Sequence, residues 1–179
     1  GKSTLLNIVG GLDRATSGRI FMHGVDMLSL SEKAEAAWRR ENLGFVFQFH
    51  HLLSDFRIVE NVMLPLLIQK ISRSQARSRA EDMLNRVGLS GLENRHPKEL
   101  SGGEQQRAAI ARALVHHPKI ILADEPTGNL DTQNASRVFD LLCTLNRDLG
   151  ATLVVVTHHE DFAQVLGRKL VLERGRVVG

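Results

Sequence analysis

Leu100-Ser101-Gly102-Gly103-Glu104-Gln105-Gln106-Arg107 is the stretch whose reading decides the fold. Ser101 and Glu104 fit S-x-x-E, the capping box of a helix start. Ala108, Ala109, Ile110, Ala111, Ala113 and Leu114 then supply apolar residues for the helix that follows. A cap alone does not account for Gly102 and Gly103, because each glycine inside a helix costs about 1 kcal/mol relative to alanine. In return glycine permits close backbone approach. A helix N-terminus with free N–H groups and no side chains in front of them is an anion site. On this segment alone a structural cap and an anion site are equally good readings.

Working outward separates them. Downstream, Ile120-Ile121-Leu122-Ala123 is a short apolar run between Pro118 and Asp124, which predicts a central parallel strand buried on both faces. Asp124 and Glu125 stand at its C-terminal end, where α/β sheets place ligands. Successive side chains on a strand point to opposite sides, so the two carboxylates are expected to do different work. A solvated strand end is the plainer alternative. Upstream, Gly1-Lys2-Ser3-Thr4 is the last part of the phosphate loop G-x-x-x-x-G-K-[ST]. Four such residues are a weak signal by themselves. Their position, opening a helix over Lys2 to Val9 with Leu5, Leu6, Ile8 and Val9 to bury, gives them weight.

Together these motifs resemble the nucleotide-binding domain of ATP-binding cassette (ABC) proteins, and the resemblance covers essentially all 179 residues. It implies an α/β fold: a P-loop NTPase (RecA-like) core with a parallel sheet, an inserted helical subdomain and a small antiparallel β part. In one ABC ATPase domain, residues 1–56 and 106–179 would form the α/β core and 57–105 the helical subdomain. ATP and Mg²⁺ are the implied cofactors. Gly1, Lys2, Ser3, Thr4, Ser101, Gly102, Gly103, Glu104 and Asp131 would bind nucleotide, and Ser3, Gln48 and Asp124 the metal. The catalytic residues would be Glu125 at the attacking water, His158 at the γ-phosphate, and Gln48. In the family the lysine reaches the β- and γ-phosphates and the Ser3 hydroxyl binds Mg²⁺. Only the end of the phosphate loop is present, so the chain is read as an N-terminally truncated fragment. The strand before the loop and the family's adenine-stacking aromatic would lie upstream of Gly1. The chain alone is accordingly expected to bind ATP poorly and to hydrolyse almost none.

The remaining segments fit that frame. Arg19 to His23 reads as a short strand broken by Gly24, with His23 solvated, and Ser31 to Glu41 as a polar helix that Trp38 packs onto the sheet. Leu43 to Gln48 is an apolar, aromatic and β-branched run of strand length. Ile58 to Lys70 predicts a helix interrupted or kinked at Pro65. Ser74 to Arg86 predicts a clearer one, stopped by Gly88, with Arg73, Arg77, Arg79, Glu81 and Asp82 on a solvated face. Thr132 or Asn134 starts a helix carrying Val138, Phe139, Leu142, Leu145 and Leu149 at helical spacing, capped by Gly150. Thr152 to Val156 reads as another buried strand, delivering Thr157-His158 to the same sheet edge; His159 receives no role. Lys169 to Glu173 and Arg176 to Val178 predict a hairpin about Arg174-Gly175.

The loop Gln48-Phe49-His50-His51-Leu52-Leu53-Ser54-Asp55-Phe56 is the most particular stretch. Adjacent histidines share no face and no third ligand is near, so a metal site is rejected. With Glu60 to Ile68, the loop resembles the cassettes of lipoprotein-releasing systems, and more distantly those of macrolide export and cell division. The resemblance implies a head-to-tail dimer with a second copy and docking to integral membrane subunits through the apolar residues of Phe49 to Phe56. The expected location is the cytoplasmic face of the bacterial inner membrane, as a peripheral subunit. A soluble ABC ATPase of translation or DNA repair is the reading from a different class. The coiled-coil repair members separate the two phosphate motifs by hundreds of residues, against about a hundred here.

Composition agrees. With 23 basic and 20 acidic residues the formal charge is +3, interspersed rather than in runs, so no nucleic-acid partner is expected. The single cysteine, Cys143, excludes an internal disulfide and is read as a core residue of its helix. No apolar stretch approaches the roughly 18 residues that a spanning helix needs.

Overall fold

The computed structural model describes residues 1–178. Helix α1 (Lys2–Val9) starts directly at Gly1, its N-cap, and buries Leu6. Strands β1 (Phe21–Met22) and β2 (Val25–Asp26) form an antiparallel hairpin with Phe21 opposite Asp26. The strand is shorter than the sequence predicts. His23 and Gly24 take left-handed backbone, with φ of 47° and 78°, and make the two-residue turn that strand twist favours. Helix α2 (Glu32–Asn42) is capped by Ser31, whose hydroxyl accepts from the Ala34 N–H.

Next come β3 (Leu43–Phe47), α3 (Ile58–Ile68), α4 (Arg73–Arg86), α5 (Gly102–Leu114), β4 (Ile120–Asp124), α6 (Thr132–Leu149), β5 (Thr152–Val156) and α7 (Glu160–Val165), then the hairpin β6 (Val171–Glu173) and β7 (Arg176–Val178). The hairpin turns at Arg174-Gly175 as its sequence predicts. The short α7 has no apolar periodicity to announce it.

β3, β4 and β5 form a parallel sheet in that order. Phe47, Asp124 and Val156 stand level at its C-terminal edge, so three chain segments leave the sheet side by side.

The pleat divides the core in two. Val46, Ile121 and Ala123 face one apolar cluster, built with Ile58, Val62 and Leu66 of α3, Ile110 and Leu114 of α5, and Val138 and Leu142 of α6. Leu43, Ile120 and Leu122 face the other, with Leu6 of α1 and a partly buried Trp38 of α2. At about 1.5–3 kcal/mol per fully buried large aliphatic side chain, these two layers fix the register of the sheet edge.

Three expectations change. α3 runs unbroken through Pro65; proline removes one backbone hydrogen bond, but Val62, Met63 and Leu66 around it are at most 2% exposed, and their burial outweighs that loss. β5 is not buried: Thr152 and Val154 are exposed, because among the described residues it pairs with β4 alone. Cys143 is half-buried rather than core, and partial burial raises its thiol pKa.

Candidate functional site

The C-terminal edge of the sheet and the start of α1 enclose a cavity of about 590 Å³, lined by Gly1, Lys2, Ser3, Gln48, Glu125, Gly128, Val156, His158 and His159. Asp124 adjoins it: the Ser3 hydroxyl donates to Asp124 Oδ1 at 2.9 Å, across 121 positions of sequence. α1 contributes the positive end of its dipole and unpaired N–H groups there.

Asp124 and Glu125 diverge as expected, but not simply by strand alternation. β4 ends at Asp124, and Glu125 turns into left-handed backbone at φ 46°. Its N–H donates to the Val156 carbonyl at 2.8 Å, which holds the turn against β5. The carboxylate is 14% exposed and lies 3.2 Å from His158 Nε2. That contact is misaligned for hydrogen bonding, so Oε1 is buried without a partner. Its other oxygen receives the His158 N–H at 3.4 Å. A buried acceptor with nothing to accept, on a residue that lines a polar cavity, leaves a hydrogen bond to be supplied.

Gln48 follows β3 and is tied to Asn129. Its Nε2 donates to Asn129 Oδ1 at 3.1 Å, and Asn129 Nδ2 donates to the Gln48 carbonyl at 3.0 Å.

The stretch that decided the fold lies elsewhere. Ser101 caps α5: its hydroxyl accepts from the Glu104 N–H, while Glu104 Oε2 receives the Ser101 hydroxyl at 2.7 Å and its N–H at 2.8 Å. Those bonds hold the Glu104 carboxyl below its ordinary pKa. Gly102 and Gly103 are not required by packing within this chain. A Cβ at either would meet nothing closer than 3.7 Å, and neither takes positive φ. An open helix start without internal need for its glycines fits an approach from outside the chain. Asp131 caps α6, accepting from the Asn134 N–H and side chain, which lower its pKa.

Of the residues singled out from sequence, Gly1, Lys2, Ser3, Gln48, Glu125 and His158 therefore line one cavity, with Asp124 bonded into it. Thr4, Ser101, Gly102, Gly103, Glu104 and Asp131 do not line it. Gly128 and Asn129 belong to the stretch Thr127 to Asp131, which resembles the family loop that touches a second copy, but the sequence gives neither a partner within the chain; His159 received no role. Nothing in the local pattern marks the contact between Asn129 and Gln48, which lie 81 residues apart.

The donor set fits nucleotide and a hard divalent cation: hydroxyl, carboxylate and amide oxygens for the cation, with a lysine and a helix N-terminus for phosphate.

Comparison with known proteins agrees with this geometry. The ABC transporter family model matches residues 1–128. The chain is 53% identical over 178 residues to the lipoprotein-releasing system ATP-binding protein LolD of Geobacter metallireducens, covering 99% of this chain and 79% of that protein. Among solved structures it is similar to the ATP-binding cassette MJ0796 in a dimeric post-hydrolysis state bound to ADP and Pi, with TM-score 0.89 and 41% identity, covering 99% and 78% of the two chains. It is also similar to CbiO1 of Clostridium perfringens, part of the CbiONQ transporter complex, with TM-score 0.88 and 32% identity, covering 99% and 71%. A phosphate-loop end, two carboxylates and a histidine converging at one sheet edge, with a glycine-opened helix held apart from them, agree with these matches: the chain belongs to the ABC transporter family of ATP-binding cassettes.

Proposed function

We propose that this chain binds and hydrolyses ATP as the peripheral cytoplasmic subunit of a membrane complex that releases lipoproteins from the bacterial inner membrane. The observation that carries the ATPase reading is the cavity in which the Ser3–Asp124 bond, Lys2, Glu125 and His158 meet. The lipoprotein reading rests on the 53% identity to LolD together with the Gln48-to-Phe56 loop.

Positioning and charge stabilisation dominate phosphoryl transfer to water. Lys2 and the N–H groups that open α1 bind the phosphate tail. Ser3 and Asp124, already bonded to each other, offer oxygen ligands, and Gln48 adds an amide oxygen. Mg²⁺, when bound, neutralises charge on the phosphate oxygens. Glu125 Oε1 accepts a hydrogen bond from water and then its proton as the water oxygen bonds to phosphorus and the bond to ADP breaks. His158 lies against Glu125 and lines the same cavity. The start of α5 completes the site from a second copy, so each nucleotide lies between Lys2 of one chain and Ser101 of the other. Gly102 and Gly103, which packing within the chain does not require, and the dimeric state of the MJ0796 cassette support that arrangement.

The block 57–105 is assigned to membrane-subunit docking, with α3 packed on α4 and α5. Phe49, Leu53 and Phe56 of the loop before it are 64%, 44% and 40% exposed, and Ile68 within it 60%; exposed apolar residues suit an interface. Among the described residues no helix is long and apolar enough to cross a membrane.

The test uses the intact subunit with Glu125→Gln, locked by ATP in native membranes, and identifies what co-purifies. Two membrane proteins with large periplasmic domains and a lipoprotein are expected. A single membrane protein fused to its own cassette, or a division protein, would reassign the complex. Ribosomes or DNA without membrane protein would overturn the transporter reading.

A further inference from the structure

Gln48, Gly128 and Asn129 pack more tightly than their loops require. Gly128 does not take left-handed backbone, so its conformation does not demand glycine. A Cβ there would stand 2.8 Å from Gln48 Nε2, 3.1 Å from its Cδ and 3.3 Å from its Cγ. A larger residue there would force the Gln48 amide to shift. Just before Gln48, the buried Gln106 donates its Nε2 to the Phe47 carbonyl at 3.2 Å, pinning the backbone to α5.

The chemistry of the pair then fixes its direction. The Gln48 backbone carbonyl can only accept, so the end of Asn129 that meets it must be Nδ2. That turns Asn129 Oδ1 to the Gln48 side chain, and Oδ1 can only accept, so the group meeting it must be Nε2. Gln48 Oε1 is left over. No group among the described residues donates to it, and it is the one atom of that amide a hard cation takes as ligand. Were the amide reversed, Nε2 would stand in that place and offer a cation no lone pair.

We propose that Asn129 is a positioning residue that orients the Gln48 amide, presenting its oxygen to the metal. Asn129 thereby reads the backbone of the loop after β3 and transmits its position to the metal site through the segment between β4 and α6. This rests on the reading of Gln48 as a metal ligand, and the experiment separates the two.

The probe is Mn²⁺ titrated into the intact ATP-loaded subunit carrying Glu125→Gln to block turnover, with free Mn²⁺ read by electron paramagnetic resonance. Gln48→Ala, Asn129→Ala, Asn129→Asp and Gly128→Ala are compared, together with the double variants on Gln48→Ala. Asn129→Ala is expected to weaken Mn²⁺ binding about three- to tenfold, the range of one lost hydrogen bond. Asn129→Asp, nearly the same shape, should do no better, because it sets an oxygen against the Gln48 carbonyl. Gly128→Ala should act in the same direction from the other side. None of the three should add a loss once Gln48 is alanine. Normal Mn²⁺ affinity in Asn129→Ala and Asn129→Asp, with Gln48→Ala impaired, overturns the positioning role alone, as do equal losses with and without Gln48. Normal affinity in Gln48→Ala removes the metal-ligand reading and this inference with it.

Discussion

Glu125 concentrates the chemistry of this chain at one backbone position. Left-handed backbone at a non-glycine residue costs on the order of 1 kcal/mol or more, and a buried carboxylate oxygen without a partner adds a further penalty. Both are tolerated because the N–H bond to Val156 and the packing of β4 over-determine the turn. The turn places Glu125 in the lining of the cavity, while Asp124 is bonded to Ser3. Glu125→Gln keeps the shape and removes the base. In the intact protein, nucleotide binding is expected to be retained while phosphate release falls by roughly 10² or more. Turnover at the parental rate would take Glu125 out of that role.

At the scale of elements, two contacts tie neighbouring segments together, one at the loop before α3 and one between the end of α5 and the sheet. Asn61 of α3 is fully buried, and its side chain closes the loop before it: Nδ2 donates to the carbonyls of Leu53, Phe56 and Arg57, and Oδ1 accepts from the Leu53 N–H at 2.8 Å. Asn61→Ala strands those groups and should cost about 1–3 kcal/mol, seen as a lower denaturant midpoint and faster amide exchange over residues 53–57. The second contact joins α5 to the sheet. His116 Nε2 donates to the Leu43 carbonyl at 3.0 Å, while Nδ1 is buried without a partner. Burial lowers the His116 pKa, the bond to Leu43 opposes this, and neighbouring His117 lowers it further. A lowered pKa in the folded state means the unfolded chain binds the proton more readily. The stabilisation is therefore full above the ordinary value of 6.5 and is lost as pH falls below it toward the folded pKa. His116→Gln keeps an N–H donor and cannot charge, so its stability should fall less on acidification. Identical pH profiles of the unfolding midpoint would contradict this.

At the scale of the whole molecule, the proposed function makes this chain half of two sites. Lys2 lines the cavity and the glycine-opened start of α5 does not; in the proposed head-to-tail dimer each site takes its two halves from different chains. Lys2→Ala and Gly102→Asp should each abolish turnover as homodimers, because both sites are then damaged. In a mixed dimer the two lesions fall in the same site and the other is intact. Mixing the variants should restore turnover to at most about a quarter of the parental level, since half the dimers are mixed and each has one good site. Failure to complement, with mixed dimers detected, would contradict shared sites.

The sequence by itself determined the fold class and the motif inventory, because these depend on local chemistry. The apolar run Ile120 to Ala123, the S-x-x-E cap at Ser101 and the helical spacing from Val138 to Leu149 each act over a few residues. Tertiary structure decided what depends on distant partners. Thr152 to Val156 reads as buried, yet exposure is set by which strands pair beside it. Pro65 reads as a break, yet the packing of Val62, Met63 and Leu66 carries α3 past it. Asp124 and Glu125 read as alternating side chains, yet their separation is made by a turn held from β5. The contact of Asn129 with Gln48 has no local signature, because a hydrogen bond spanning 81 residues leaves no period in the sequence. Local pattern encodes which element forms; only the closed chain determines which atoms meet.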